Sequence, residues 1–206
     1  VKNVDTFLGA FDAILDREQI ERVILVGQSY GSLLAQAYLS ERPGRVDTLV
    51  ISSGGPADYK PAWLVVDYLA IGLVRLLPDR SARRLFLNML QKVLPSGTGE
   101  QADWLEAIRY ILMEELTRAD LISHFAVVAD MIRKRIVRPE VLRQWQGRLF
   151  VLSAANDPTQ DAGDSARYER LFGRPAVQID LGDMGHAGLL YDPDSYLIKL
   201  EHIFTD

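Results

Sequence analysis

The segment that most constrains this chain runs from Val23 to Gly31 and reads Val-Ile-Leu-Val-Gly-Gln-Ser-Tyr-Gly. Its four leading apolar residues, three of them β-branched, predict a short buried strand. The residues from Leu33 to Arg42 predict a helix that stops at Pro43-Gly44. A serine at such a strand-to-helix turn is held in a strained backbone conformation that exposes its hydroxyl. We therefore predict that Ser29 is a nucleophile, the alternative being an ordinary glycine-rich turn with a surface serine.

Small residues around this serine have a predicted steric role. Gly27 and Gly31 carry no side chains that could collide where the strand and the helix approach each other, and Ser32 is also small. The N-terminus of the helix points backbone N–H groups at the serine, where negative charge would develop during acyl transfer.

Segments that alternate between strand and helix lie at both ends of the chain, whereas the middle is helical. Predicted strands cover 20–27, 45–52, 148–153 and 176–181, and predicted helices cover 3–16, 33–42, 164–172 and 193–204. The first two strands are continuous apolar runs, as expected when helices cover both faces of a parallel sheet. Residues 57–146 contain predicted helices at about 61–77, 81–94, 100–116, 118–135 and 139–145 and no predicted strand. The predicted N-caps are Ser81, Asp120, Asp164 and Asp192.

Composition and charge exclude several classes of protein. The net charge of −5 gives no reason to expect a nucleic-acid partner. The chain has no cysteine and its three histidines lack metal-ligand spacing, so neither a metal site nor a cofactor is predicted. The most apolar stretch, residues 62–77, contains two charges and is shorter than the roughly 20 residues of a membrane span. No signal peptide is visible, but residue 1 is valine, so this absence means little. The location is left open, with the cytoplasm favoured.

A nucleophilic serine needs a base to take its proton, and the base needs an acceptor that orients it. His186 follows the fourth predicted strand, and Asp157 follows the third. Loops at the carboxyl ends of parallel strands meet at one edge of a sheet, so we predict that Ser29, Asp157 and His186 lie together. Four other carboxylates stay open as the orienting acid: Asp161, Asp164, Asp180 and Asp183. Two of them have a better explanation, because Asp164 is a predicted helix cap and Asp180 lies inside a predicted strand. His124 and His202 are interpreted as structural.

Four features together resemble the α/β-hydrolase superfamily, in the branch that carries a helical cap inserted in the sheet. They are the turn Gly27–Gly31, the chain order Ser…Asp…His, the turn Asn156-Asp157-Pro158, and Gly185-His186 followed by Leu189, Leu190, Asp192 and Pro193. That chain order differs from those of other serine proteases. The resemblance covers Asn3 to Phe204 and is weakest across the middle of the chain. It implies an α/β fold with the C-terminal strands of a mostly parallel sheet, a core at 1–56 and 147–206, and a helical cap or lid at 57–146.

The resemblance also implies a role for each residue of the predicted site. Ser29 is the implied nucleophile, with His186 as its base and Asp157 as the partner of that base. The backbone N–H of Tyr30 is an implied oxyanion donor. Serine at position 29 argues against the dehalogenases and epoxide hydrolases of similar fold, which place aspartate there.

One departure from the family concerns the start of the chain. Family members normally carry several strands before this turn, and a loop among them provides the second oxyanion donor. We therefore expect either that the 206 residues are the C-terminal part of a longer enzyme or that an N-terminal fragment or partner chain completes the sheet. In both cases the first strand has a free edge that invites pairing or aggregation, and the chain alone is expected to be a poor catalyst.

The leading hypothesis is a serine hydrolase that cleaves a small ester, amide or thioester through an acyl-enzyme. Two alternatives remain open. One is a lyase that keeps the same three residues, as hydroxynitrile lyases of similar fold do, and the other is a non-catalytic ligand-binding or scaffold protein. The expected partner is a small-molecule substrate, and large side chains of the cap such as Trp63 and Phe125 are expected to set substrate choice.

Overall fold

The computed structural model describes residues 3–94 and 100–205, which contain one sheet of four strands. The strands are β1 (Val23–Gln28), β2 (Val46–Ser52), β3 (Arg148–Ser153) and β4 (Val177–Asp180). They lie side by side in chain order, and each neighbouring pair is parallel. This arrangement confirms the predicted α/β fold and brings the carboxyl ends of all four strands to one edge of the sheet.

Helices precede, interrupt and follow the strands. In chain order they are α1 (Val4–Arg17), α2 (Tyr30–Glu41), α3 (Trp63–Leu76), α4 (Asp79–Leu90), α5 (Glu100–Tyr110), α6 (Arg118–Lys134), α7 (Pro139–Gln144), α8 (Asp164–Phe172), α9 (Gly188–Tyr191) and α10 (Pro193–Thr205). The described part of 57–146 contains α3 to α7 and no strand, and we call this block the helical insertion. In the described ranges, every helix is too short or too polar to cross a membrane.

Several predicted helix boundaries differ from those observed, and two of these differences have a clear local cause. α2 begins at Tyr30 rather than at Leu33, because Ser29 is the last residue with a non-helical backbone before it. The helix predicted over 100–116 keeps its α-helical form only to Tyr110 and continues as a wider π turn over Ile111–Glu115. Both differences are matters of local hydrogen bonding that apolar spacing does not report.

Three predicted N-caps are wrong. α4 begins at Asp79, so Ser81 lies inside the helix. Thr117 caps α6: its hydroxyl accepts from the N–H of Asp120, and the Asp120 carboxylate accepts from the N–H of Thr117. This reciprocal pair is a capping box, in which the carboxylate is the third helical residue rather than the cap. Asp164 is the first helical residue of α8, and the N-cap is Gly163, which has no side chain to form a capping hydrogen bond.

One face of the sheet packs against α1, α2, α7 and α8. The apolar cluster on this face includes Leu8 and Leu15 of α1, Leu39 of α2, Leu142 of α7 and Phe172 of α8, packed on Leu49, Ile51 and Val151 of the strands. All of these side chains are buried. Burying such side chains stabilises the fold by about 1.5–3 kcal/mol each.

The opposite face packs against α10. This helix begins after Asp192, whose Oδ1 accepts the N–H of Ser195 at 3.1 Å, which confirms the predicted cap. Its apolar stripe packs on β2 and β3 through a cluster of Tyr196, Leu200 and Ile203 with Val50 and Leu152.

β1 departs from the prediction that helices cover both of its faces. Ile24 is 39% exposed and Val26 is 41% exposed, although both belong to the apolar run that predicted a buried strand. The reason is geometric, because α10 covers β2 and β3, and β1 lies at the edge of the sheet beyond β2. One face of β1 is therefore apolar and open in the described structure.

The C-terminal end of α6 joins the helical insertion to α1. Asp130 is 8% exposed, and its carboxylate accepts the N–H of Val4 at 3.4 Å. Lys134 bonds to Asp130 at 2.9 Å and also contacts Asp5. Towards its N-terminal end, α6 instead packs against α3 and α4, through a cluster of Ile71, Val74, Ala82, Leu121 and Ile122.

Candidate active site

Ser29 lies between the last residue of β1 and the first residue of α2, with φ 50° and ψ −118°. Non-glycine residues rarely adopt positive φ, and such strain persists only where surrounding contacts hold it. Here the N–H of Ser29 donates to the carbonyl of Ser52 at 2.9 Å. The carbonyl of Ser29 accepts from the N–H of Ser32 at 2.9 Å and from the Ser32 hydroxyl at 2.6 Å. These bonds fix the serine on both sides, as the predicted turn requires.

The steric prediction holds for one of the two glycines. A Cβ at Gly27 would lie 2.6 Å from the carbonyl oxygen of Gly31 and 2.7 Å from Cα of Ser32, so no side chain fits there. A Cβ at Gly31 would meet no heavy atom within 4 Å. The steric reason given for Gly31 is therefore wrong, because that position of α2 faces open space.

His186 lies in the loop between β4 and α9 and is 9% exposed. Its Nε2 is 2.8 Å from the hydroxyl oxygen of Ser29. The preceding residue, Gly185, has φ +65°, a conformation that favours glycine. The carbonyl of His186 accepts from Nε2 of Gln28 at 2.7 Å. Gln28, within the turn motif itself, therefore fixes the backbone of the histidine loop, a role that the sequence analysis missed.

Asp157 lies in the loop after β3 and is 5% exposed. Its Oδ1 and Oδ2 are 3.1 Å and 3.2 Å from Nδ1 of His186. The other four carboxylates that the sequence left open have other partners. Asp161 accepts from the N–H of Gly163, Asp164 pairs with Arg167, and Asp180 accepts from the N–H of Gly182. The backbone carbonyl of Asp183 accepts from the side-chain amide of Asn156. Of the five carboxylates, the structure brings Asp157 to the histidine.

Thr159 is a further member of this cluster that the sequence analysis missed. Its hydroxyl donates to Oδ1 of Asp157 at 2.7 Å and lies 2.9 Å from Nδ1 of His186. Its backbone N–H also donates to Oδ1 of Asp157, at 2.9 Å. Burial raises the pKa of the Asp157 carboxyl, but hydrogen bonds from His186 and Thr159 outweigh burial and lower that pKa to about 2. Asp157 is therefore ionised at neutral pH.

A cavity of about 870 Å³ lies over Ser29, between the sheet edge and the helical insertion. Apolar side chains from α2 and the insertion form one part of its wall: Leu33, Trp63, Phe86, Met89, Leu90 and Val93. His124 of α6 also lines the cavity, although the sequence analysis interpreted it as structural. Trp63 lies where it was expected, whereas Phe125 packs against the cluster inside the insertion. The side chain of His202 is outside the described part.

The arrangement offers a hydroxyl, an imidazole and an ionised carboxylate in line, which suits proton transfer from an attacking oxygen. A metal ion would need three or more histidine, cysteine or carboxylate ligands close together, and the described ranges contain no such group.

A family model described as the alpha/beta hydrolase fold matches residues 3–193. This chain belongs to the α/β hydrolase family. No curated protein sequence matches this α/β hydrolase.

Solved structures of α/β hydrolases resemble this family member over its whole length. A thermophilic esterase from Thermogutta terrifontis has a TM-score of 0.78 at 13% identity, with 99% of this chain and 72% of that chain covered. A hydrolase from Pseudomonas aeruginosa PA01 has a TM-score of 0.67 at 18% identity, with coverage of 99% and 72%. The enol-lactonase from Burkholderia xenovorans LB400 has a TM-score of 0.68 at 12% identity, with coverage of 100% and 74%. At identities of 12–18%, these similarities show a shared fold.

Proposed function

We propose that this chain is a serine hydrolase that cleaves a small ester, amide or thioester through an acyl-enzyme on Ser29. The observation that carries the proposal is the continuous contact from the Ser29 hydroxyl to His186 Nε2 at 2.8 Å and from His186 Nδ1 to Asp157 at 3.1 Å. The esterase and lactonase named above share the fold and support the same class of reaction.

The proposed reaction begins with proton transfer from the serine. Nδ1 of His186 faces an ionised carboxylate and carries the proton of the neutral ring, so Nε2 is free to accept. As Oγ of Ser29 bonds to the substrate carbonyl carbon, its proton moves to Nε2. Asp157 then stabilises the imidazolium, and the imidazolium protonates the leaving group when the tetrahedral intermediate collapses. Water attacks the acyl-enzyme by the same steps and releases the acid.

The backbone N–H of Tyr30 is the proposed donor to the oxyanion. Tyr30 is the first residue of α2, and the first N–H groups of a helix have no acceptor within it. A hydrogen-bond donor held where the negative charge forms is worth about 2.7–4 kcal/mol in the transition state. The position of Tyr30 directly after the nucleophile supports this role.

A fluorophosphonate probe tests the proposal, because it phosphonylates a serine only where a base activates that serine. We expect mass mapping to find the label on Ser29 and to find none in Ser29→Ala. The exposed Ser165 of α8 offers a matched control, and Ser165→Ala should keep full labelling and full rate on p-nitrophenyl acetate. Labelling that persists in Ser29→Ala, or ester turnover that survives it, would contradict the proposal.

A further inference from the structure

The side chain of Tyr30 is held at two points by one residue of the helical insertion. Its ring stacks on the ring of His124, with centroids 4.3 Å apart and an angle of 27° between the planes. Its hydroxyl donates to the backbone carbonyl of His124 at 3.1 Å. The two contacts lie at different points along the tyrosine, so together they restrict both its rotation and its tilt.

The state of the tyrosine hydroxyl supports this contact. Burial, with smaller contributions from Asp67 and Tyr59, raises the pKa of Tyr30 to about 12. The hydroxyl therefore stays protonated and can donate to the carbonyl at any pH at which the protein would work.

His124 is itself held by aromatic neighbours. Phe86 of α4 and Phe125 of α6 each meet its ring edge to face, with centroids 5.2 Å apart. Burial lowers the pKa of His124, so its ring is uncharged at neutral pH and packs as an aromatic group. Tyr30, Phe86 and His124 all line the cavity over Ser29. The ring that contacts Tyr30 is thus also part of the wall that a substrate would touch.

We propose that His124 is a positioning residue for acyl transfer, which acts by holding Tyr30 and, through it, the backbone N–H that receives the oxyanion. This inference rests on the proposed function of Ser29. It adds that the helical insertion supports the transition state as well as enclosing the substrate.

Three substitutions test the role of the ring. His124→Ala removes the stacking partner and should lower kcat about 3- to 10-fold with little change in KM, as expected for an aromatic contact that matters in the transition state. His124→Phe restores an uncharged ring and should recover most of the rate. Leu121→Ala is the matched control from the same helix, since Leu121 packs inside the insertion and does not line the cavity. It should lower the melting temperature and leave kcat within about twofold.

A boronic acid that forms a tetrahedral adduct with Ser29 distinguishes positioning from packing. Its affinity should fall in His124→Ala by the same factor as kcat/KM, whereas the affinity of an uncleaved substrate analogue should stay constant. Tyr30→Phe removes the hydroxyl bond and keeps the ring, so adding it to His124→Ala should cost less than the two separate losses combined. If His124→Ala does not fold, His124→Phe and Tyr30→Phe carry the test through their boronate affinities.

The outcomes separate the two proposals. Fluorophosphonate labelling of Ser29 with an unchanged kcat in His124→Ala would overturn the positioning role alone. Equal losses of kcat in His124→Ala and Leu121→Ala would also overturn it, because general loosening of the insertion would then explain both. An unlabelled Ser29 in the unmodified protein would overturn both proposals.

Discussion

Removal of the Thr159 hydroxyl should slow the reaction without disturbing the rest of the site. Thr159→Val keeps the shape of the side chain and deletes one oxygen. That oxygen donates to Oδ1 of Asp157 at 2.7 Å and lies 2.9 Å from Nδ1 of His186. Two other donors to the carboxylate stay in place, namely the backbone N–H of residue 159 at 2.9 Å and Nδ1 of His186 at 3.1 Å.

The size of the effect follows from these contacts. A hydrogen bond to a charged group contributes about 1.5–3 kcal/mol, and the two remaining donors favour the lower end of this range. A loss of about 1.5 kcal/mol in the transition state corresponds to a decrease of about tenfold in kcat. The loss should fall on kcat, because the imidazolium that the carboxylate stabilises forms only during the reaction.

Steady-state kinetics on p-nitrophenyl butyrate measures this prediction, with Thr159→Ser as the matched control because serine keeps the hydroxyl. Near-normal kcat in Thr159→Ser and a tenfold loss in Thr159→Val support the reasoning. Equal rates for the threonine and valine proteins would refute it, since the hydroxyl would then contribute nothing to the orientation of Asp157 and His186. A loss confined to KM would refute it as well, because it would mean that Thr159 binds substrate.

Three further predictions concern the acid, the cavity wall and a buried carboxylate. Asp157→Asn should keep the circular dichroism spectrum and lower kcat on the order of 10⁴-fold, because the amide favours the wrong tautomer of the histidine; near-normal turnover would exclude this role. Trp63→Ala should raise the rate on p-nitrophenyl octanoate relative to acetate, because it removes an indole from the cavity wall, and an unchanged ratio would show that the wall does not select chain length. Burial raises the pKa of Asp67 to about 6, so the unfolded chain loses this proton first and the free energy of unfolding falls as pH rises from about 4 to 6. Asp67→Asn should therefore raise urea stability at pH 8 by about 1 kcal/mol after allowance for solvent screening, with no gain near pH 4, and an equal gain at both pH values would contradict this origin.

The sequence predicted the parts of the site that depend on position along the chain. Ser29, Asp157 and His186 each follow a strand, and parallel strands bring such loops to one edge whatever the details of packing. The sequence favoured Asp157, but distances were needed to exclude the other four carboxylates, since all five lie between residues 157 and 183 and carry the same charge. Gln28 carried no signal of its own, because its partner His186 lies 158 residues away. Thr159 bonds to Asp157 only two residues before it, but hydroxyl groups are common in such turns, and its contact with His186, 27 residues away, was not visible in the sequence.

The fold shows the same division. The apolar run of β1 predicted a strand correctly, because β-branched spacing is a local property. It did not predict the exposure of Ile24 and Val26, which depends on how far α10 extends across the sheet. The capping box of α6 was visible in the sequence as Thr117 followed three residues later by Asp120, but the N-cap was assigned to Asp120 when Thr117 is the cap.

The attachment of α6 to α1 gives the helical insertion a bonded contact with the core besides its two chain ends. Asp130 and Lys134 bind the end of α6 to Val4 and Asp5. His124 lies six residues before Asp130 on the same helix, about 9 Å along its axis. The ring beside Tyr30 is therefore carried by a helix whose far end is anchored to α1, which links the oxyanion donor to that anchor through one rigid element.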